Sequence, residues 1–153
     1  MSRKKFSKIK KSILSTWEDV EILRINKNLN KDFFFLKEEI TKQDQEEWFS
    51  NLLLKDDDFM FICFDVKTNN KFGSIGFRIV DGNIDFYNIM RFCPSEISME
   101  ECIKELIEFS KNLFPGKKIQ VRVLKDNPAV GWYKKIGFEV YEERNNFLVM
   151  YYS

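Results

Sequence analysis

Histidine is absent from this sequence, and that absence bounds the chemistry open to it. No Ser-His or Cys-His nucleophile can be assembled. Without imidazole nitrogens no zinc site or other metal centre is expected. Any general base has to be a carboxylate, a backbone group or a water. Cysteines stand at 63, 93 and 102, with no Cys-x-x-Cys pair; the odd number suits free thiols in a reducing compartment. Cys93 lies close to an expected helix start, which can lower a thiol pKa, yet with no histidine to act as its base it reads as inert. Tyr133 offers a phenol that keeps its proton up to about pH 10 and so can act as an acid at neutral pH. Taken alone, beside Trp132, it reads first as an aromatic on the buried face of a short helix.

These groups have to be held by alternating strands and helices. Residues 6–14 fit a short strand. Ser15 or Thr16 can cap a helix with Glu18 and Asp19 in its first turn, and Val20, Leu23 and Asn28 fall on one side of it. Thr41 fits a second cap, before an apolar face of Trp48, Leu52 and Leu53. Residues 59–66 and 72–80 read as strands joined by a turn at Thr68-Asn69-Asn70. Asp81-Gly82-Asn83 is a hairpin turn into a strand over 84–92, with Ile84, Phe86, Asn88 and Met90 on one side. Pro94 ends that strand, and Ser98-Met99-Glu100-Glu101 is a capping box opening a long helix. Its buried stripe is Ile103, Leu106, Ile107 and Leu113, and Pro115-Gly116 stops it. Residues 119–124 alternate as a strand, 128–136 fit a short helix ended by Gly137, and two strands joined at Arg144-Asn145-Asn146 follow. The order is β-α-α-β-β-β-α-β-α-β-β. The strands on either side of the long helix should be parallel.

The 153 residues amount to one domain, 1–153, large enough to bury about two thirds of the surface its unfolded form exposes. Sixteen Phe supply core material. Lys and Arg number 25 against 24 Asp and Glu, a balance that argues against nucleic acid as a partner. Six cations, Arg3, Lys4, Lys5, Lys8, Lys10 and Lys11, read first as a solvated arm and second as a patch for a phosphorylated ligand. No apolar stretch approaches a membrane span. Ser12-Ile13-Leu14-Ser15-Thr16 is not the apolar core of a signal peptide. A cytoplasmic protein with no membrane partner is expected. A single Ala among many Lys, Asn, Ile and Phe hints at an AT-rich bacterial genome.

Asn127, Ala129, Tyr133, Gly137 and Phe138, following the strand that ends at Leu124, resemble the second signature of the GNAT superfamily of acetyl-CoA-dependent N-acetyltransferases. Leu23-Arg24 with Asn28, Ile40-Thr41 and Trp48-Phe49 is similar to the N-terminal half of its branch acting on ribosomal protein termini and amino sugars. The resemblance implies an α/β (α+β) fold with a mixed, centrally splayed sheet of about seven strands and flanking helices. It implies direct acetyl transfer from acetyl-CoA to a primary amine, on a small molecule such as an amino sugar nucleotide or on a protein N-terminus.

The resemblance also implies roles. The pantetheine arm of the coenzyme would pair along the backbone of Ile89, Met90, Arg91 and Phe92, as an added strand does. Tyr133 would protonate the leaving thiolate, and Asn127 would hold the coenzyme arm. Phe33, Phe34 and Phe35 lie where the branch forms its acceptor pocket; they read first as core and rim, and second as a stacking platform for a sugar or nucleotide. The proton of the acceptor ammonium would go to a carboxylate, directly or through water, with Asp85, Glu38 and Glu39 as candidates. Where the family carries a glycine-rich pyrophosphate loop, this chain has Phe92-Cys93-Pro94-Ser95-Glu96-Ile97-Ser98-Met99-Glu100, without glycine. Ile97, Ser98 and Met99 would then offer the helix N-terminus as the anion site. The alternative is a catalytically silent GNAT-like binding domain with a degenerate loop. A homodimer through the aromatic-rich strand Phe147-Leu148-Val149-Met150-Tyr151-Tyr152 is a third expectation.

Overall fold

The computed structural model describes residues 7–11, 17–35 and 37–153. In chain order the elements are β1 (Ser7–Lys11), α1 (Trp17–Leu29), a 3-10 turn (Lys31–Phe33), α2 (Lys42–Leu53), β2 (Asp58–Asp65), β3 (Lys71–Val80), β4 (Asn83–Arg91), α3 (Met99–Leu113), β5 (Ile119–Leu124), α4 (Ala129–Ile136), β6 (Phe138–Glu143) and β7 (Phe147–Tyr152). The strands form one sheet ordered β1-β2-β3-β4-β5-β7-β6. This is the expected element order. The caps expected at Ser15 or Thr16 lie outside the described residues. Those at Thr41 and Ser98 are both capping boxes, in which the cap side chain and the N3 carboxylate satisfy each other's backbone N–H.

Every strand pair is antiparallel except β4 with β5, which flank α3. These two are paired only where Ile84–Phe86 meets Ile119–Val121. Farther on they part, and the sheet is splayed at its centre.

Two cores cover the two faces. The larger joins Ile103, Leu106 and Ile107 of α3 and Tyr133 and Ile136 of α4 to Phe72, Phe77, Ile84, Phe86 and Phe138 of the sheet. The smaller joins Val20 and Leu23 of α1 and Phe49 and Leu52 of α2 to Met60 and Met90. Fully burying such a side chain contributes about 1.5–3 kcal/mol.

Three details of facing correct the sequence reading. Ile84, Phe86, Asn88 and Met90 do not share a face. Ser74 pairs with Met90 but Gly76 with Tyr87, so β4 carries one extra residue there. Asn88 takes φ 53, in the left-handed region that Asn tolerates. One inserted residue reverses the in–out alternation beyond it. Ile84 and Phe86 enter the larger core, and Met90 enters the smaller. On α3, Ser110 is buried while Leu113, at the helix end, is 45% exposed. On α2 the buried stripe is Gln45, Phe49 and Leu52; Leu53, one residue and so about 100° farther round, is exposed.

Candidate functional site

The divergence of β4 from β5 opens a cleft of about 570 Å³. Tyr87 to Arg91 of β4 form one wall. Arg122 and Val123 of β5, with Asn127, Ala129 and Tyr133, form the other. Lys27, Asn30, Phe33, Phe34, Phe35, Asp44, Gln45 and Trp48, from α1, α2 and the segment between them, close one end. Among the described residues, no strand pairs with the edge of β4 that faces β5 between Tyr87 and Arg91. That edge presents backbone donors and acceptors to the cleft. The segment between α1 and α2 is held in place by Asn28, whose Oδ1 accepts from the Ile40 N–H at 2.7 Å and whose Nδ2 donates to the Ile40 carbonyl at 3.0 Å.

Tyr133 lies on the inner face of α4, only 7% exposed. Its ring packs edge-on against Phe138. Burial pushes its phenol above the ordinary value, so it stays protonated at all physiological pH. No group among the described residues hydrogen-bonds to its hydroxyl, and the residue lines the cleft. The α4 end is fixed by Gly137. Its φ of 128 lets its N–H reach the carbonyls of Tyr133 and Lys134, and a Cβ there would stand 3.1 Å from the Tyr152 ring. At the other end of α4, Asn127 Oδ1 accepts from the Ala129 N–H at 2.9 Å, and Nδ2 donates to the Phe33 carbonyl at 3.5 Å. Asn127 thus caps α4 and ties it to the far wall.

The α3 start is more self-contained than the sequence implied. Glu101 accepts from the Ser98 N–H at 3.0 Å, and Ser98 Oγ accepts from the Glu101 N–H at 3.1 Å. Two donors of the helix N-terminus are thereby used within the chain. Ile97 and Met99 bury their side chains, leaving their backbone as what they can offer a ligand. The Arg91 guanidinium donates to the carbonyls of Ile97 at 3.1 Å and Ser95 at 2.8 Å, and so holds the glycine-free segment against β4.

Of the carboxylate candidates, Glu38 and Glu39 are exposed and absent from the cleft lining. Asp85 lines the cleft but is 1% exposed. It accepts from Arg122 Nε at 3.0 Å, Arg122 Nη2 at 2.8 Å and Gln120 Nε2 at 3.0 Å. Arg78 Nε stands 3.5 Å from it. Such a clasp occupies the carboxylate's lone pairs. Phe33, Phe34 and Phe35 all reach the cleft, and Phe35 meets Phe147 edge-on at 5.1 Å. Sequence reasoning missed Lys27, Arg78 and Arg122. On a helix and two strands they carry no motif, and only the fold brings them to one place.

No known family profile matches the sequence, and no curated protein sequence is similar to it. Solved structures do match it. The chain is 16% identical to Campylobacter jejuni N-acetyltransferase PseH in complex with acetyl coenzyme A, over 95% of this chain and 96% of that one, with a TM-score of 0.74. It is 18% identical to spermidine N-acetyltransferase from Vibrio cholerae in complex with CoA and spermine, over 97% and 95%, with a TM-score of 0.75. A domain from Methanocaldococcus jannaschii matches with 21% identity over 95% and 97%, and a TM-score of 0.75. The splayed sheet and its cleft define a mixed α/β protein built around two diverging parallel strands. The fold is that of the GNAT N-acetyltransferases.

Proposed function

We propose that the protein is an N-acetyltransferase that moves an acetyl group from acetyl-CoA directly to a primary amine. The observation that carries this reading is the unpaired edge of β4 from Tyr87 to Arg91, facing the buried, protonated Tyr133 across one cleft. The open edge suits the amides of a pantetheine arm, which can hydrogen-bond to it as an added strand would. Bound there, acetyl-CoA would supply an activated thioester. Tyr133 holds a proton at its hydroxyl for a leaving thiolate. The acceptor is the amine of a small molecule, such as a nucleotide-linked amino sugar, or a protein N-terminus. Of the acids lining the cleft, Asp85 is held by Arg122 and Gln120, and Asp44 accepts the Thr41 N–H in the α2 capping box. Lys27, Arg78 and Arg122 instead make the cleft positive. Like charge lowers the pKa of an ammonium, so more of the acceptor is neutral on arrival and the proton leaves through water. Cys63 and Cys102 are buried and Cys93 is off the cleft lining, which favours direct transfer over an acyl-cysteine.

A silent binding domain is the second reading, favoured by the glycine-free segment and by Glu101 on the first donors of α3. Thermal unfolding with added acetyl-CoA separates the two. A ligand at a hundred times its Kd stabilises by about 2.7 kcal/mol, roughly 2–4 °C or more here. No shift at millimolar acetyl-CoA would sink the transferase reading.

A further inference from the structure

The end of the cleft beside α1 and α2 holds more positive charge than its own carboxylates balance. Lys27, Arg78 and Arg122 line it with two acids, Asp44 and Asp85. Asp44 is engaged elsewhere, its Oδ2 accepting from the Thr41 N–H at 3.1 Å in the α2 capping box. Asp85 accepts from Nε and Nη2 of Arg122. Arg78 is left 3.5 Å from Asp85 without a hydrogen bond, its Nε buried and unpartnered among the described residues. The Arg78 guanidinium lies 4.0 Å above the Tyr87 ring. Lys27 has no carboxylate partner among the described residues, and its ammonium sits 5.1 Å from the Phe34 ring. Burial and the charge of Arg78 lower its pKa to about 8. Two cations thus face one partly dry corner with one counter-charge already spent.

A cation taken out of water without a partner is costly. An anion between the two would offset both penalties. We propose that Lys27 and Arg78 bind a phosphate group carried by the amine acceptor, which sets the substrate class as a phosphorylated amine rather than a polyamine. Lys27, with no carboxylate partner among the described residues, and Arg78, which shares Asp85 with Arg122 and whose buried Nε has no hydrogen-bond partner there, can meet the oxygens of a phosphate through Arg Nε and the three Lys donors. A polycation such as spermidine would add like charge to the same corner. The inference rests on the acetyl-transfer reading, since it assigns the phosphate to the acceptor.

The test is a titration of the full chain with inorganic phosphate, glucosamine 6-phosphate, glucosamine and spermidine, each with and without saturating CoA. Binding is read by calorimetry and by the Lys27 side-chain NMR signal, assigned through Lys27→Gln. Expected are millimolar-range binding of inorganic phosphate with a shifted Lys27 signal, and an affinity for glucosamine 6-phosphate about tenfold or more above that for glucosamine, as a charge-assisted hydrogen bond supplies. Lys27→Gln and Arg78→Gln should remove that preference, and Lys27→Arg should keep most of it. Unfolding curves of each variant check that the fold persists. Absence of phosphate binding overturns the proposal, as does a preference for spermidine. Loss of phosphate binding once CoA is saturating also overturns it, because the cations would then serve the phosphates of the coenzyme. CoA binding is read in the same titrations. If CoA fails to bind while phosphate still engages Lys27, the acetyl-transfer reading falls and the phosphate site stands.

Discussion

Two places in this molecule attract negative charge, and the chain treats them in opposite ways. At the start of α3 the helix dipole is answered from within, by Glu101 and Ser98 closing on each other's N–H. In the corner between α1, β3 and β5, Asp85 is clasped by Arg122 and shared at 3.5 Å with Arg78, whose Nε has no hydrogen-bond partner among the described residues, and Lys27 has no carboxylate partner among them. The first arrangement contributes stability and resists an incoming anion. The second costs stability and invites one.

The largest effect on this contrast should come from Asp85→Ala. Removing one partner of a buried ion pair costs about 3–5 kcal/mol. Urea unfolding should show a loss in that range, partly restored by phosphate. A loss below about 1 kcal/mol would mean that the clasp contributes little. Tyr133 lines the same cleft as Lys27 and Arg78. Tyr133→Phe should lower kcat about a hundredfold and leave acetyl-CoA affinity within a few-fold, as expected for a lost general acid. Unchanged kcat across the pH range would remove Tyr133 from that role.

Glu101→Gln sharpens the comparison from the other side. It should cost about 0.3–1 kcal/mol of stability through the helix end and tighten acetyl-CoA by a few-fold, seen by calorimetry. Unaltered affinity would place the coenzyme pyrophosphate away from α3. The smallest effect concerns pH. Lys27 titrates near 8 in the folded protein and near 10.5 when exposed. Between these values the unfolded chain holds more protons, so this lysine makes stability rise with pH over that window. Phosphate affinity should fall several-fold as pH passes about 8, and Lys27→Arg should flatten the profile. A flat profile in the unaltered protein would exclude Lys27 from the phosphate site.

Much of the fold is legible in the residues. Capping boxes at Thr41 and Ser98, the Asp81-Gly82-Asn83 turn and Gly137 fix element ends through local hydrogen bonds and backbone preferences, which short stretches of chain carry by themselves. The facing of Met90 is not legible. It depends on an inserted residue at Asn88 that only the register against β3 reveals. Leu53 and Leu113 mislead for a related reason: an apolar residue is equally apolar whether its helix position faces the core or the solvent.

The site divides along the same line. The sequence by itself determined that no histidine serves here, that Tyr133 follows Asn127 by six residues, and that the segment before α3 lacks glycine. These are matters of residue type and short separation. Only the tertiary structure decided that β5 leaves β4 after Phe86, that Asp85 is spent on Arg122, and that Lys27 and Arg78 share a corner. Charges 51 and 44 residues apart, as Lys27–Arg78 and Arg78–Arg122 are, have no local interaction to announce them. Their meeting follows from the packing of a helix against a splayed sheet.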